Sequence, residues 1–410
     1  MKIKGKRSKT VIVKPYSPIM WVNDKNSLDK MISYIKTLSG PIAVDSERAC
    51  GIRYDSDKAY LIQMKRENTI FLIDPIKTGN LKDLNEAIKN SEWVLHAADQ
   101  DIPCLVKQGL IPTKIFDTEK SSRLLNYSKV SLGKMIEEKL NITLEKLHSN
   151  ENWSMRPIPQ KWLDYAALDV EYLIDLRDIL YKELEETHKL EYALEEFEYC
   201  LDTTYPKFLE RQKEKQNLQN IFHFVPGAYA LSPRELAVVK ELYLSRESLA
   251  KKLDTAPSSL LSTKALVQAA KTMPKSREEM VKLSLFKGAK NRPHKNRWWG
   301  AIARAKNYPE DKLPVYKAKE HKDIYPNTAW IKTYPNKYER LQIIKEISAN
   351  IAEQVNTRVE NIITTRDKNI IAWNLSDFPS LEEIDDVFSL CSLRNWQKNL
   401  LRNNIYKAFK

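Results

Sequence analysis

The chain has 410 residues, too many for one ordinary core, so domains of about 100–200 residues predict two to three of them. Apolar residues make up 42% of the chain, yet no run of about 18 uncharged apolar residues occurs, which argues against a membrane span. Lysine and arginine outnumber aspartate and glutamate by 67 to 54, and the formal charge of +13 favours a polyanionic partner such as nucleic acid, although solubility alone can produce such a surplus.

The spacing of the cysteines and the basic first residues indicate the cellular compartment in which the protein is expected. Cys50, Cys104, Cys200 and Cys391 lie far apart and form no paired spacing, so neither a disulfide framework nor a zinc site is expected. Residues 1–9 are basic but lack the apolar run of a signal peptide, and we interpret them as a tail. A reducing cytoplasm is the predicted location.

The first predicted elements are a helix at 27–38 and a short buried strand at 42–44 that runs into Asp45 and Glu47. Successive side chains of a strand point to opposite faces, so these two acids emerge on the same side. Two carboxylates in that position repel each other unless a cation lies between them, which indicates a hard-metal site. Solvated acids at a strand end are the alternative.

Further strands are predicted at 59–64 and 69–75, separated by a charged turn. Consecutive strands with short connections should pair antiparallel. A helix at 81–90 then precedes a strand at 93–97, and a helical crossover implies that this strand joins the sheet in parallel. The pattern therefore predicts a mixed α/β sheet.

Three more acids stand at predicted helix starts. Asp99 and Asp101 precede a helix that ends near Val106, and we expect at least one of them to cap it. Asp117 is interpreted as a structural cap of the next helix. The polar segment 143–152 is predicted to be a loop.

A helix from Lys161 to Leu176 aligns a tyrosine with an acid. Tyr165 and Asp169 are four residues apart and share one face. The opposite face is apolar and faces the core; its residues are Leu163, Ala166, Ala167, Val170, Leu173 and Ile174. This pair follows the acids described above in the order Asp-x-Glu, Asp, Tyr-x-x-x-Asp.

These motifs resemble the DEDD superfamily of 3′–5′ exonucleases and, within it, ribonuclease D. The matching positions are Asp45, Glu47, Asp101, Tyr165 and Asp169, and the tyrosine four residues before the last acid is typical of the Tyr-bearing subclass. The resemblance implies an α/β ribonuclease H-like exonuclease domain, two divalent cations (Mg²⁺ or Mn²⁺) and hydrolysis from a 3′ end.

By the same resemblance, Asp45 would hold both cations, Glu47 and Asp169 the cation on the side of the nucleophile, and Asp101 the other. Carboxylate oxygens suit this role because Mg²⁺ and Mn²⁺ prefer oxygen ligands. Tyr165 would orient the attacking water by a hydrogen bond, because a phenol with a pKa of about 10 is a poor base at neutral pH.

Sequence segments around the motifs also match the family, including Leu61-Ile-Gln63 and Trp153-x-x-Arg156-Pro157. The candidate nucleic-acid contacts among them are Gln63, His96 and Arg156. The family pattern departs at Leu147, Asn150 and Asn152, where an arginine is missing, and this changes the expected placement of the substrate phosphate.

The second half of the chain is predicted to be helical. Ser232 followed by Pro233 indicates a helix start. The sequence segments at 236–247 and 261–266 resemble the HRDC domain, a small helical bundle that binds nucleic acid. Basic residues surround two tryptophans at 287–304, a composition that suits phosphate contact and base stacking; tryptophans packed inside the bundle are the alternative. The candidate contacts are Arg246, Lys295, Arg297, Trp298 and Trp299.

The predicted division of the chain is an exonuclease domain at 1–206, an HRDC domain at 207–308, a linker at 309–330 and a second HRDC-like all-α bundle at 331–410. Such a chain would be an exoribonuclease that trims single-stranded RNA 3′ ends, with tRNA precursors as the expected class and a monomer as the favoured state. A 3′–5′ exonuclease acting on DNA and a catalytically silent RNA-binding scaffold are the alternatives.

Overall fold

The computed structural model describes residues 11–49, 51–144, 151–217, 221–289, 291–316 and 327–410. Segment 1–9, Cys50, Leu147, Asn150 and residues 317–326 of the predicted linker lie outside these ranges. Within the described residues, none of the helices is both long and apolar enough to cross a membrane.

The strands all lie in the first 144 residues of the described chain. They are β1 (Val11–Ile12), β2 (Ile19–Val22), β3 (Ile42–Arg48), β4 (Ala59–Arg66), β5 (Thr69–Ile73), β6 (Trp93–Leu95), β7 (Ile115–Asp117) and β8 (Thr143–Leu144). β1 and β8 form a separate parallel pair, so the first two residues of the predicted loop at 143–152 are in fact a strand.

The other six strands form one sheet in the order β2-β5-β4-β3-β6-β7. β3, β4 and β5 pair antiparallel, and β6 joins β3 in parallel, which confirms the predicted mixed sheet. The edge strands β2 and β7 were not predicted, since they are four and three residues long and are defined by their pairing with β5 and β6.

Nine α-helices accompany these strands in the described residues. They are α1 (Lys25–Ile35), α2 (Pro75–Thr78), α3 (Lys82–Ile88), α4 (Ile102–Lys107), α5 (Thr118–Leu124), α6 (Leu132–Leu140), α7 (Gln160–Glu171), α8 (Leu173–Glu186) and α9 (Leu190–Gln216). The helix predicted over 161–176 is thus two helices that meet at Tyr172. The boundary predicted near Pro206 lies inside α9.

The sheet is covered on both faces. Ala166, Ala167 and Val170 of α7 pack on one face against Leu61 and Leu72 of the sheet. The small alanine side chains allow α7 to lie close to the strands, so polar residues beside them on the helix reach the edge of the same face. The opposite face carries a second apolar layer that packs against α1 and α8.

A first helical bundle follows, formed by α10 (Pro233–Lys252), α11 (Pro257–Leu260), α12 (Thr263–Thr272), α13 (Arg277–Lys282) and α14 (Lys295–Lys306). Ser232 caps α10 as predicted, in a reciprocal capping box with Glu235. The bundle rests on the loop that leaves β3: the Ala256 amide donates to the Ile52 carbonyl at 2.9 Å, and Arg53 pairs with Asp254 at 3.2 Å.

A second helical bundle is formed by α15 (Asn327–Thr333), α16 (Pro335–Val355), α17 (Val359–Ile362), α18 (Thr365–Asn374), α19 (Leu381–Ser389) and α20 (Asn395–Ala408). Its apolar core is continuous with that of the sheet domain. Tyr192 of α9 stacks on Trp396 with ring centroids 4.6 Å apart, and Lys189 donates to the Asn356 carbonyl at 2.8 Å. This bundle therefore packs directly on the sheet domain.

Candidate active site

Strand β3 presents two carboxylates on the face that α7 covers. Asp45 lies opposite Gln63 and Glu47 lies opposite Leu61 in the antiparallel ladder with β4. Because side chains alternate along the strand, Asp45 and Glu47 share a face, while Ser46 between them points to the other. The ladder becomes irregular directly after Glu47, at Arg48.

Helix α7 brings a third carboxylate to this pair. Carboxylate oxygens of Asp45, Glu47 and Asp169 all lie within 4.8 Å of one another. Tyr165, one turn before Asp169, is hydrogen-bonded to that carboxylate. The two acids that lie two residues apart on the strand are thus brought next to the tyrosine and acid that lie four residues apart on the helix.

Burial and mutual repulsion dominate the electrostatics of this cluster. Burial, and then the charge of Asp169, raise the pKa of Asp45 to about 7. Burial, followed by the charges of Asp45 and Asp169, raises the pKa of Glu47 well above its usual value. Arg48 acts in the opposite direction on both carboxyls. Its Nη1 donates to the Gln100 carbonyl at 2.9 Å.

Asp101 lies beside the cluster and is oriented by a residue that the sequence did not single out. It occupies the N-cap position of α4, but its side chain makes no capping bond, so Asp101 is not the capping acid that was expected at one of the two positions, 99 or 101. Instead, Asp101 Oδ1 accepts a hydrogen bond of 2.6 Å from the Ser46 hydroxyl. Burial, and then the charge of Asp45, raise the pKa of Asp101 to about 8.

Tyr165 is held by aromatic packing. The ring of Trp153, which is fully buried, lies 6.5 Å from the Tyr165 ring and 5.5 Å from that of Trp162. Burial, and then the charge of Asp169, raise the pKa of the Tyr165 hydroxyl far above its usual value. The phenol is therefore protonated at neutral pH and serves as a hydrogen-bonding group.

The donor set of this cluster fits divalent cations of the Mg²⁺ type. Its three convergent side chains offer only carboxylate oxygens, which hard cations prefer to nitrogen or sulfur. Bringing like charges so close while excluding water is costly unless a cation neutralises them. The raised pKa values of Asp45 and Glu47 express that cost.

The nearby candidate contacts with nucleic acid are buried or already paired. Gln63 is fully buried, and among the described residues neither its amide nitrogen nor its amide oxygen has a partner. His96 Nδ1 lies 2.9 Å from the Thr118 hydroxyl, and burial lowers the pKa of the imidazole. Gln63 is therefore not available to a substrate, and its assignment is corrected; His96 is partly exposed, and its assignment stays a prediction. Asp117 is structural as predicted, since its carboxylate caps α5 and also accepts from the Ala97 and Ala98 amides.

Arg156 is also a structural residue, contrary to its predicted role. Its guanidinium binds both carboxylate oxygens of Asp74, at 2.7 and 2.9 Å. It also donates to the backbone carbonyls of Trp153, Met155 and Tyr60 at 2.7–2.8 Å. The arginine joins the segment before α7 to the sheet and has few donors left for a phosphate.

The candidates in the first helical bundle divide into two groups. Arg246 is buried, with its guanidinium bonded to the Leu261 carbonyl, and Trp298 is fully buried in the bundle core. These two assignments are corrected, and for Trp298 the packing alternative holds. Lys295 and Arg297 are exposed at the start of α14, whereas Trp299 is partly buried against the core.

Family models match three parts of the chain. Residues 19–185 match the 3′–5′ exonuclease domain, residues 235–302 the HRDC domain, and residues 324–409 the 3′ to 5′ exonuclease C-terminal domain. These matches confirm the predicted exonuclease-type and HRDC domains, while the predicted domain boundaries stay predictions. The second bundle is all-α as predicted, but it matches a differently named domain, and its HRDC-like character stays a prediction.

Several known proteins resemble the chain. A ribonuclease D of Haemophilus influenzae is 30% identical over 232 residues, which cover 56% of this chain and 57% of that protein. The chain thus matches little more than half the length of that relative. A protein of solved structure from Bifidobacterium adolescentis is 27% identical, with a TM-score of 0.81 over 98% of this chain and 100% of that one.

A third comparison concerns the fold. RNase D of Escherichia coli, an exoribonuclease involved in structured RNA processing, superposes with a TM-score of 0.67 over 95% of this chain and 97% of its own. Its sequence identity is 20%, so the likeness is one of architecture: a mixed-sheet domain followed by helical bundles.

Proposed function

We propose that this chain belongs to the ribonuclease D family and is a divalent-metal-dependent exoribonuclease that hydrolyses RNA from its 3′ end and releases 5′-mononucleotides; the matches to the 3′–5′ exonuclease and HRDC domains and the likeness to a ribonuclease D support this. The observation that carries the proposal is the convergence of Asp45, Glu47 and Asp169 within 4.8 Å, next to a protonated tyrosine. Three carboxylates held this close repel one another, and bound cations remove that cost.

Each residue of the cluster has a proposed role. Asp45, Glu47 and Asp169 hold the cations, and Asp101 completes the set from the loop before α4. When bound, Mg²⁺ or Mn²⁺ supplies Lewis-acid stabilisation of the charge that develops on the phosphate and on the departing 3′ oxygen. Tyr165 orients the attacking water, since a phenol with a raised pKa hydrogen-bonds without removing a proton.

The first helical bundle is the proposed second contact with RNA. A groove between α10 and α14 is lined by Ser245, Ser248, Asn296, Arg297 and Arg304, with no acid in its lining. The exposed groups of this lining include the Arg297 guanidinium and the Ser248 hydroxyl, and groups of these kinds bind phosphates, whereas Arg304 is paired with Glu241 at 2.8 Å. We therefore assign RNA backbone contact to Lys295 and Arg297, and propose single-stranded 3′ ends of structured RNA, such as tRNA precursors, as substrates.

The monomeric state and the cytoplasmic location stay predictions.

A labelled-RNA assay tests the proposal. The full chain should release 5′-mononucleotides from a single-stranded RNA with a free 3′ hydroxyl, should be slower on the same RNA with a blocked 3′ end, and should stop in chelator. Asp45→Asn should lose more than about 100-fold in rate while binding RNA normally in chelator. Asp99→Asn is the matched control, because it removes an exposed carboxylate two residues before Asp101.

The two alternatives give different results in the same assay. Faster turnover of a DNA strand of the same sequence would indicate a DNA exonuclease. Tight RNA binding without mononucleotide release, in either Mg²⁺ or Mn²⁺, would indicate a silent scaffold and would overturn the assignment.

A further inference from the structure

A buried hydroxyl on the reverse side of β3 contacts the one acid of the set that comes from a loop. Ser46 lies between Asp45 and Glu47 in sequence and points to the opposite face of the strand. Its Oγ donates to Asp101 Oδ1 at 2.6 Å. Both side chains are buried, Ser46 being 6% and Asp101 5% exposed.

A thiol completes this arrangement. Cys104, one turn into α4, has its Sγ 3.1 Å from Ser46 Oγ and donates to the Asp101 carbonyl at 3.0 Å. The thiol proton is thus directed to the backbone, and the hydroxyl proton of Ser46 is left for the carboxylate. Ser46 is therefore the donor and Asp101 the acceptor in the bond between them.

Asp101 needs such a partner more than the other acids do. Asp45 and Glu47 are held by a strand paired on both sides, and Asp169 by the twelve-residue helix α7. Asp101 follows a short 3₁₀ turn at Ala98–Gln100, and its side chain takes no part in capping α4. A displacement of about 1 Å at a reacting centre can cost about 100-fold in rate.

We propose that Ser46 is a positioning residue: it holds Oδ1 of Asp101 so that the second oxygen faces the cations bound by Asp45, Glu47 and Asp169. One strand segment then carries two ligands on one face and orients a third from the other. The proposal rests on the proposed function for the identity of the site, but it concerns cation binding and is measurable without turnover.

The test uses two shape-matched substitutions. Ser46→Thr keeps the hydroxyl and Ser46→Val replaces it with a methyl group, and both residues suit a strand. Mn²⁺ alone is titrated into the metal-free full chain by calorimetry, and kcat and KM are measured on single-stranded RNA. Cys104→Ala is the neighbouring control, since it removes the thiol and leaves the Ser46–Asp101 bond.

Ser46→Val is expected to weaken Mn²⁺ binding at one site by about 10–100-fold, the usual effect of removing a group that orients a ligand. Its kcat should fall by a similar factor while KM changes by less than about 3-fold. Ser46→Thr and Cys104→Ala should stay within about 3-fold of the wild type. In an Asp101→Asn background, the Val substitution should have no further effect, because Ser46 acts through that carboxylate.

Two results would overturn the proposal: wild-type Mn²⁺ affinity in Ser46→Val, or equal losses in the Val and Thr variants, which would indicate packing alone. If Ser46→Val does not fold, Ser46→Ala replaces it with the same criteria. A wild-type chain that binds Mn²⁺ but releases no nucleotide would refute the nuclease function and leave this test intact.

A separate observation concerns Asp45. Gln63 lies directly opposite it in the ladder, so the two side chains share a face with Cβ atoms about 4.5–5.5 Å apart. The amide of Gln63 is fully buried, and within the described residues it has no partner, which is destabilising. We infer that, in the cation-bound protein, Gln63 Nε2 donates to the Asp45 carboxylate and so orients it toward the cations.

Gln63→Met tests this second inference, because methionine has a similar shape and no polar group. The metal-free variant should unfold at the same urea concentration as the wild type or at a higher one, while its Mn²⁺ affinity falls about tenfold. Unchanged Mn²⁺ affinity would overturn the inference, and so would a clearly lower unfolding midpoint, since that would mean the amide already has a stabilising partner. Gln63→Leu serves if the methionine variant does not fold.

Discussion

Replacement of Arg156 by alanine should destabilise the catalytic domain without weakening RNA contact. The guanidinium forms a two-point pair with Asp74, whose side chain is 2% exposed, and donates to three backbone carbonyls. Arg156→Ala therefore leaves a buried carboxylate without its counter-charge. Breaking one side of such a pair costs about 3–5 kcal/mol.

The lower end of that range is the better expectation here. The side chain of Arg156 is 22% exposed, so water can partly replace it beside Asp74. We therefore expect the free energy of unfolding of this domain to fall by about 3 kcal/mol, and by less in Arg156→Lys, which restores a charge but not the two-point geometry. Asp74→Asn combined with Arg156→Ala should lose less than the two single substitutions added together.

Urea unfolding followed by tryptophan fluorescence measures the effect, and RNA affinity is measured at low urea where each variant is folded. Arg402→Ala is the control: it breaks a pair of similar geometry with Asp385 on the exposed surface of the second bundle and should shift the unfolding midpoint far less. The reasoning is refuted if Arg156→Ala unfolds like the wild type but loses RNA affinity, because the guanidinium would then be a phosphate contact.

Other variants test other parts of the site. Tyr165→Phe should lower kcat at least about tenfold while Mn²⁺ affinity, measured by calorimetry, stays within about 3-fold, because the phenol orients water and holds no cation; a loss of Mn²⁺ binding would contradict this role. In chelator, the free energy of unfolding should fall as the pH rises from about 4 to about 8. Burial, and then the charge of Asp45, raise the pKa of Asp101 from 3.8 to about 8. Across this interval the folded state therefore binds more protons than the unfolded state, and it loses stability as those protons are removed. Asp101→Asn should flatten that pH profile in urea titrations, and an unchanged profile would count against the burial of this charge. Lys295→Gln with Arg297→Gln should reduce the slope of log affinity against log salt by about 1.4, or about 0.7 for each phosphate contact on a single strand; an unchanged slope would place the RNA elsewhere.

The sequence determined the parts of the site that follow from local periodicity. A two-residue spacing in a strand puts Asp45 and Glu47 on one face, and a four-residue spacing in a helix does the same for Tyr165 and Asp169. The mixed sheet also followed from connection lengths, since short turns favour antiparallel pairing and a helical crossover favours a parallel strand. These rules hold before any tertiary contact forms.

Which polar side chains are covered depends on tertiary packing. Arginine, glutamine and tryptophan are amphipathic, so one residue type can face a phosphate or be buried against a carbonyl or an apolar core. Arg156, Arg246, Gln63 and Trp298 are all in the second state because other elements pack over them, from positions far along the chain.

The same reason explains Ser46. Alternation along β3 places its hydroxyl on the face opposite the two acids, and the local pattern contains nothing to link it with Asp101, 55 residues further on. The parallel addition of β6 brings the loop that carries Asp101 beside β3, and the bond between the two side chains forms there. Periodicity determines the direction in which a side chain points, whereas the partner that it meets depends on how the whole chain packs.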